Sequence, residues 1–370
     1  MSIKLGIDAK WYFNGPPSGR VVVRNIIDSL IQLKDEEVQI SLFIEASDFQ
    51  SALDYFPKDV GLIKVGALPN FLSNMFLLPK LAKKFDLDVV LFQNFGSFSS
   101  SGFKKVVYIH DVLFLDYPEF YSKKELIYFK LMPFLAKGSK ALITISNSEK
   151  KRLINHKVLN PELIDVVYHG IDSKFKTLSS YSDSEISNLN EAYSLPERYI
   201  LYVGRINIRK NLTNLVRALS LIEDKELKLV IVGKVDSKSV DIEKVINDNS
   251  LSERVIFTGH VSDEDLYKIY ARAFIFCFPS FAEGFGLPPL EAMSCGVPVV
   301  VSTETCMPEV CGDAALYIKP TDHLDIAEKI NSLVGDNALY QMMKDRGLSH
   351  VEQFTWNRSA ESIINIVKRI

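Results

Sequence analysis

Short apolar, β-branched runs alternate with helical patterns along the whole chain. The first series reads IKLGIDA, VQISLFI, GLIKVG, LDVVLFQ, KVVYIHD, ALITIS and DVVYHG. After a polar stretch, KTLSSYSDSEISNLN, a second series reads YILYVGR, LKLVIVG, RVIFTGH, AFIFCFPS, VPVVVS and AALYIK. Strands alternating with helices predict an α/β fold of parallel sheets wrapped by helices on both faces. Two such series predict two doubly wound, Rossmann-like domains, residues 1–175 and 190–355, joined by the polar stretch. The tail FTWNRSAESIINIVKRI predicts a final amphipathic helix over 356–370. Ligands of doubly wound sheets bind at the carboxyl ends of the strands, so an active site is expected in a cleft between the domains.

Length and composition agree with this division. A chain of 370 residues exceeds one ordinary core, and 47% hydrophobic with 24% charged residues is the balance of a folded, soluble protein. The opening MSIKLGIDAKWYFNG reads as neither a signal peptide nor a membrane span, and the cysteine usage makes a reducing cytoplasm the expected home. Cys277, Cys295, Cys306 and Cys311 form no CxxC pair, and a zinc site from Cys306 and Cys311 would lack a second ligand pair. Residues 1–180 hold 23 Lys+Arg against 19 Asp+Glu, a net of +4 where the whole chain is −3. Ordinary scatter explains this, and so would an anionic partner such as a membrane surface. The segment FLSNMFLLPKLAKKF sets Phe76, Leu77 and Leu81 beside Lys80, Lys83 and Lys84. A packed amphipathic helix and a peripheral membrane helix both fit it. No nucleic-acid partner is expected.

The chemistry concentrates in FAEGFGLPPLEAM. Pro288 and Pro289 suit a first helical turn, while Gly284 and Gly286 let the main chain approach a ligand. A helix start with exposed amides is an anion site that suits phosphate. Glu283 would repel phosphate and is better explained as an acceptor for sugar hydroxyls. Glu291, in the helix's first turn, can accept from a ribose. Solvated glutamates at a helix start are the plain alternative. In YVGRINIRKNL, Arg205 follows a strand and Gly204, and Lys210 follows a short loop. Paired cations there would neutralise a diphosphate and stabilise the charge that develops as it leaves. Arg209 reads as a solvated loop residue.

Three further segments lie at predicted strand ends. GIDAKWYFNGPPSGR carries Gly15 and Gly19, which permit either a backbone cradle or a plain turn. YIHDVLFLDYPEFY ends a strand with His110 and Asp111, where a histidine can touch the transferred sugar or align an acceptor. FTGHVSDEDLYKIY reads first as a helix cap at Ser262 with acidic first-turn residues. The main chain near Val261 could also face a nucleobase. No G-x-G-x-x-G follows a strand, which argues against a nicotinamide dinucleotide.

Taken together, these segments resemble the retaining glycosyltransferases of GT-B fold, family 4, which include bacterial polysaccharide mannosyltransferases. The most specific element is E-x7-E, here Glu283 and Glu291, and the resemblance extends over YVGRINIRKNL, VVYHGID and FTWNRSA. It implies an N-terminal acceptor-binding domain, a C-terminal donor-binding domain and a last helix crossing back onto the first, with Trp356 as its anchor. It implies that Glu283 contacts the donor sugar and Glu291 the ribose. Arg205 and Lys210 would hold the diphosphate and amides of Phe285, Gly286 and Leu287 the sugar and phosphate, with Gly204 and Gly284 also in the donor site. His110 would lie near the anomeric carbon, and His260 and Val261 would meet the base. Gly19 would join the donor site, Gly15 and Asp111 the acceptor site. The glycine loop departs from the family pattern at PPSGRVVVRN. Asp86 and Asp88 fall at a strand start and do not read as a metal site.

The expected activity is a metal-independent, cofactor-free hexosyl transfer that keeps the anomeric configuration. The donor would be a nucleotide sugar, GDP-mannose first. The acceptor would be a hydroxyl of a saccharide or lipid-linked saccharide in cell-surface polysaccharide synthesis. A UDP-hexose or dTDP-rhamnose donor is the near alternative. A non-catalytic sugar-nucleotide-binding protein is the alternative of another class.

Overall fold

The computed structural model describes residues 2–234 and 241–370. The chain forms two compact units, 1–170 with 355–370, and 171–354. The first contains a seven-stranded sheet: β1 (Ile3–Asp8), β2 (Val38–Glu45), β3 (Gly61–Val65), β4 (Val89–Gln93), β5 (Lys104–Ile109), β6 (Ala141–Thr144) and β7 (Ile164–Val166), in the order β3-β2-β1-β4-β5-β6-β7. The second contains a six-stranded sheet: β8 (Tyr199–Val203), β9 (Lys228–Val232), β10 (Val255–Gly259), β11 (Ile275–Phe278), β12 (Val299–Ser302) and β13 (Ala315–Ile318), in the order β10-β9-β8-β11-β12-β13. Every pairing in both sheets is parallel. Each apolar run of the sequence becomes one of these strands. The inner strands are buried on both faces, as in VVLFQ of β4 and VVVS of β12, because helices cover both sides of a parallel sheet.

The polar stretch after the first series lies wholly in the second unit, not as a bare link. It includes the helix Asp183–Tyr193, started by a capping box in which Ser182 and Glu185 satisfy each other's backbone N–H groups. The passage between units falls at 170/171 and again at 354/355.

The last helix, Trp356–Arg369, belongs to the first unit. Trp356, Ala360, Ile363, Ile364 and Val367 form its buried stripe, which packs on the helix Pro17–Leu33. Polar contacts pin both of its ends. Ser359 donates to the Tyr168 carbonyl at 2.5 Å, and Arg369 reaches Asp165 at 2.6 and 3.0 Å. Lys368 pairs with Asp35 at 2.8 Å and also with Glu37. Trp356 is the anchor: its ring lies 5.6 Å from that of His169, and its backbone nitrogen sits where a Cβ on Gly170 would go.

The FLSNMFLLPKLAKKF segment is helical from Asn70 to Lys84, with a π-helical turn over Ser73–Leu77. Leu78 and Ala82 are buried and the lysines exposed. Asp86 and Asp88 hold Lys4, the first through its ammonium at 3.0 Å and the second through its backbone N–H at 2.8 Å. No helix among the described residues is long and apolar enough to cross a membrane.

Replacing Trp356 with alanine removes the anchor of the last helix. Urea unfolding should show a loss of about 3 kcal/mol, the usual effect of deleting a buried aromatic. A loss under about 1 kcal/mol would mean that the helix is held without it.

Candidate active site

Strand β8 is flanked by β9 on one side and β11 on the other, so the chain leaves β8 and β11 toward opposite faces of the sheet. Such a switch point opens a crevice at the carboxyl ends. The loops that border it are 204–211 after β8 and 279–286 after β11. Asn207 starts a 3₁₀ turn over Ile208–Lys210 by accepting from the Lys210 N–H at 3.2 Å. Asn211, in the left-handed region at φ 57°, donates through its amide to the carbonyls of Pro279 at 2.9 Å and Pro320 at 2.6 Å. The Phe281 N–H donates to the Arg209 carbonyl at 2.9 Å, so the two loops are joined through backbone as well.

Glu283 fixes the side chains. Its Oε1 accepts from Lys210 Nζ at 2.7 Å and meets the Arg209 guanidinium at 3.0 Å. Arg209 also donates to the Ala282 carbonyl. Glu283 and Lys210 are both buried, and Lys210 Nζ lies 4.6 Å from the Phe278 ring centre. Burial alone would raise the Glu283 pKa, but Arg209 and then Lys210 outweigh it and hold the carboxyl well below its ordinary value. Burial pulls the Lys210 ammonium below the ordinary lysine value, and Glu283 only partly opposes this. Arg205 is exposed and close enough to act on Lys210 electrostatically. Three cations against one carboxylate leave two positive charges on the β8 loop.

The 283–286 turn is shaped from behind by residues after β12. Thr305 accepts from the Glu283 N–H at 3.0 Å, and the Cys306 thiol donates to the carbonyls of Glu283 and Phe285 at 3.1 Å each. Gly286, at φ 102°, sits in the left-handed region that favours glycine, and the end of the Met307 side chain packs where a Cβ would go. Helix Leu287–Ser294 starts there with Pro288 and Pro289 in its first turn, which leaves its leading N–H groups at the turn. Glu291 accepts from the Tyr270 hydroxyl at 2.7 Å. Burial pushes its pKa up to about 7 against the lowering effect of that hydrogen bond.

Arg205, Lys210, Glu283, Gly284, Phe285, Gly286 and Leu287 therefore line one switch point, with Glu291 one turn into the helix. Arg209 departs from expectation: it is not solvated but pinned between Glu283 and Ala282. Tyr270, Thr305, Cys306 and Met307 carry no motif and were not anticipated. Gly204 is bonded to β9 through its N–H, at 3.0 Å from the Val232 carbonyl. His260 and Val261 follow β10, the edge strand two places from β8. His260 is exposed and Val261 buried, and Ser262 caps the helix Asp263–Arg272.

In the first unit, His110 follows β5 as expected and stacks on Tyr108 at 4.9 Å. Its Nε2 lies 3.0 Å from Gln93 Oε1, and its backbone N–H donates to Asn94 at 3.0 Å. Burial lowers its pKa to about 4, so the imidazole is neutral at pH 7. Asp111 accepts from the Leu113 N–H at 3.3 Å, and buried Glu149 accepts from the Val112 N–H at 2.8 Å. Gly15 and Gly19 both abut the Trp11 indole, 3.0 Å from where a Cβ would sit, which gives them a packing reason. Among the described residues no group of three or more His, Cys, Asp or Glu is arranged to hold a metal ion.

Two parallel α/β units with a last helix returning to the first make up the GT-B glycosyltransferase architecture. A structure of the Anabaena protein Alr3699/HepE in complex with UDP matches with a TM-score of 0.74 at 18% identity, covering 100% of both chains. The family described as Glycosyl transferases group 1 matches residues 187–350, and Glycosyltransferase Family 4 matches residues 21–175. O-antigen chain mannosyltransferase B of Escherichia coli is 32% identical over 273 residues, 72% of this chain and 70% of that one. The serotype-specific mannosyltransferase WbdA of Escherichia coli is 32% identical over 235 residues, 62% of this chain but only 29% of its own length. The chain belongs to the family 4 glycosyltransferases.

Glu283→Ala should cost about 3 kcal/mol in chemical unfolding, because it strands two cations in a buried place. Glu283→Gln keeps the shape and one acceptor and should cost less. An alanine variant as stable as the parent would show that the carboxylate does not hold the loops.

Proposed function

We infer that the protein transfers a hexose from a nucleotide diphosphate sugar to a hydroxyl of a saccharide or lipid-linked saccharide, in cell-surface polysaccharide synthesis. The observation that carries this reading is the buried Glu283 between Arg209 and Lys210, beside the helix start at Gly286. The two positive charges left on the β8 loop suit the two or three negative charges of a diphosphate. The amides at the helix start add donors without charge. A carboxylate in the same turn supplies an acceptor for sugar hydroxyls, and Glu291 one for a ribose.

Bond breaking leads and gives an oxocarbenium-like sugar. Arg205, Lys210 and the helix start hold the departing diphosphate, the work that a metal ion does elsewhere. The leaving phosphate oxygen takes the acceptor's proton on the same face, so configuration is retained. Glu283 is tied to two cations and positions the sugar, not attacks it. Neutral His110 serves as a hydrogen-bonding group toward the sugar and not as a cation. Gly15, Gly19 and Asp111 are assigned to ligand contacts, and His260 and Val261 to the base. GDP-mannose is the first choice of donor, supported by the mannosyltransferases to which the chain is similar. A UDP-hexose is the second choice, supported by the UDP named for the Anabaena structure. Four buried cysteine thiols suit a reducing cytoplasm.

Thermal-shift screening of nucleotide sugars, followed by donor hydrolysis, tests the reading. GDP-mannose should give the largest shift and be hydrolysed, with Lys210→Ala at least about 100-fold slower. Binding without turnover would mark a non-catalytic sugar-nucleotide-binding protein. Donor affinity should also rise between pH 6 and 8, as Glu291 loses its proton near 7 and becomes the stronger acceptor. Glu291→Gln should flatten that profile, and an unchanged slope would remove Glu291 from ribose recognition.

A further inference from the structure

Three phenylalanines from separate segments meet on the surface of the first unit. Phe76, Phe98 and Phe134 are 49%, 56% and 53% exposed. Phe98 joins the other two, its ring centre 6.1 Å from that of Phe76 and 5.8 Å from that of Phe134. Single exposed apolar residues are ordinary, but a contiguous aromatic group on a soluble surface calls for a partner.

Buried polar side chains hold the backbone beneath this group. Lys105 is 2% exposed, and its ammonium donates to the carbonyls of Ser97 at 2.9 Å, Leu135 at 2.9 Å and Lys137 at 2.6 Å. It thereby fixes the Phe98 loop to the end of the helix Leu131–Ala136 that carries Phe134. Asn74, fully buried in the π turn, donates to the Phe95 carbonyl at 2.8 Å and to Asp8 at 2.9 Å, and accepts from Lys10. That ties the Phe76 segment to the same loop. The aromatic group is a fixed presentation and not a frayed edge.

Its surroundings are cationic. Lys80, Lys83 and Lys84 follow Phe76 at helical spacing, and Lys130 and Lys137 flank Phe134 in the same way. All five are exposed. Segments 60–85, 94–110 and 126–148 contain no Asp or Glu, and Asp86, just beyond the first of them, is paired with Lys4. Aromatic rings at headgroup depth, with lysine stems reaching outward to anionic lipid, are the pattern of an interfacial contact. A second copy of this chain is disfavoured, because a self-complementary contact would set the same lysines against each other.

We propose that the Phe76–Phe98–Phe134 patch and its lysines form a docking surface for an anionic lipid membrane. This goes beyond glycosyl transfer and does not depend on it. The test is co-sedimentation of the full chain with protein-free vesicles, either phosphatidylglycerol-containing or pure phosphatidylcholine. The parent chain should partition at least tenfold more strongly onto the anionic vesicles, and less so at high salt. Phe98→Ser with Phe134→Ser should weaken that binding at least tenfold. Lys80→Gln, Lys130→Gln and Lys137→Gln together should abolish the preference for anionic lipid. Both variants should keep the parental melting temperature, so that loss of binding is not loss of folding. If one variant fails to fold, the other decides. Equal partition onto the two vesicle types, or unchanged binding by either folded variant, would overturn the proposal. So would binding only to membranes that retain their proteins, or a change of oligomeric mass in the phenylalanine variant.

Discussion

One carboxylate between two cations governs the second unit. Glu283 arrives on the loop after β11, and Arg209 and Lys210 on the loop after β8. The two strands are neighbours only because the sheet reverses direction there, so their loops diverge unless something ties them. A buried ion pair is a poor way to gain stability, since desolvation offsets much of the attraction. It is a good way to fix geometry, because neither partner tolerates the other's absence. The same three side chains leave a net positive charge at the ends of the two loops.

The turn around Glu283 also depends on residues with no charge. Thr305 and Cys306 satisfy the N–H and carbonyl of Glu283 from behind, and the end of the Met307 side chain packs against Gly286. These contacts shape the glycine-containing loop that leads into the helix Leu287–Ser294. The same economy recurs in the first unit, where the buried Lys105 and Asn74 fix loops by binding carbonyls. In both units polar side chains, each satisfied in a dry place, set the shape of what reaches solvent.

The strands were legible because parallel sheets covered on both faces demand apolar runs, and each run in the sequence became a strand. That the 283–287 turn and the 205–210 loop lie together was legible, because both follow strands at the carboxyl edge of one parallel sheet. Arg209 was misread as solvated, since nothing local distinguishes an arginine that faces water from one that turns back onto Glu283. Cys306 and Thr305 were invisible for a related reason: their partners lie more than twenty residues away in sequence. Gly15 and Gly19 looked like a ligand cradle, yet each is also explained by the Trp11 ring against it. The Ser-rich stretch suggested a linker, yet a capped helix, Asp183–Tyr193, forms there, because serine and glutamate suit a capping box as well as a loop.

The most direct test is a crystal structure of the second unit's switch point occupied by a nucleoside diphosphate, within the full chain. The account predicts the terminal phosphate against Arg205, Lys210 and the amides of residues 285–287, with the ribose hydroxyls on Glu291. A diphosphate bound away from both loops, or one whose phosphates contact neither cation, would contradict it.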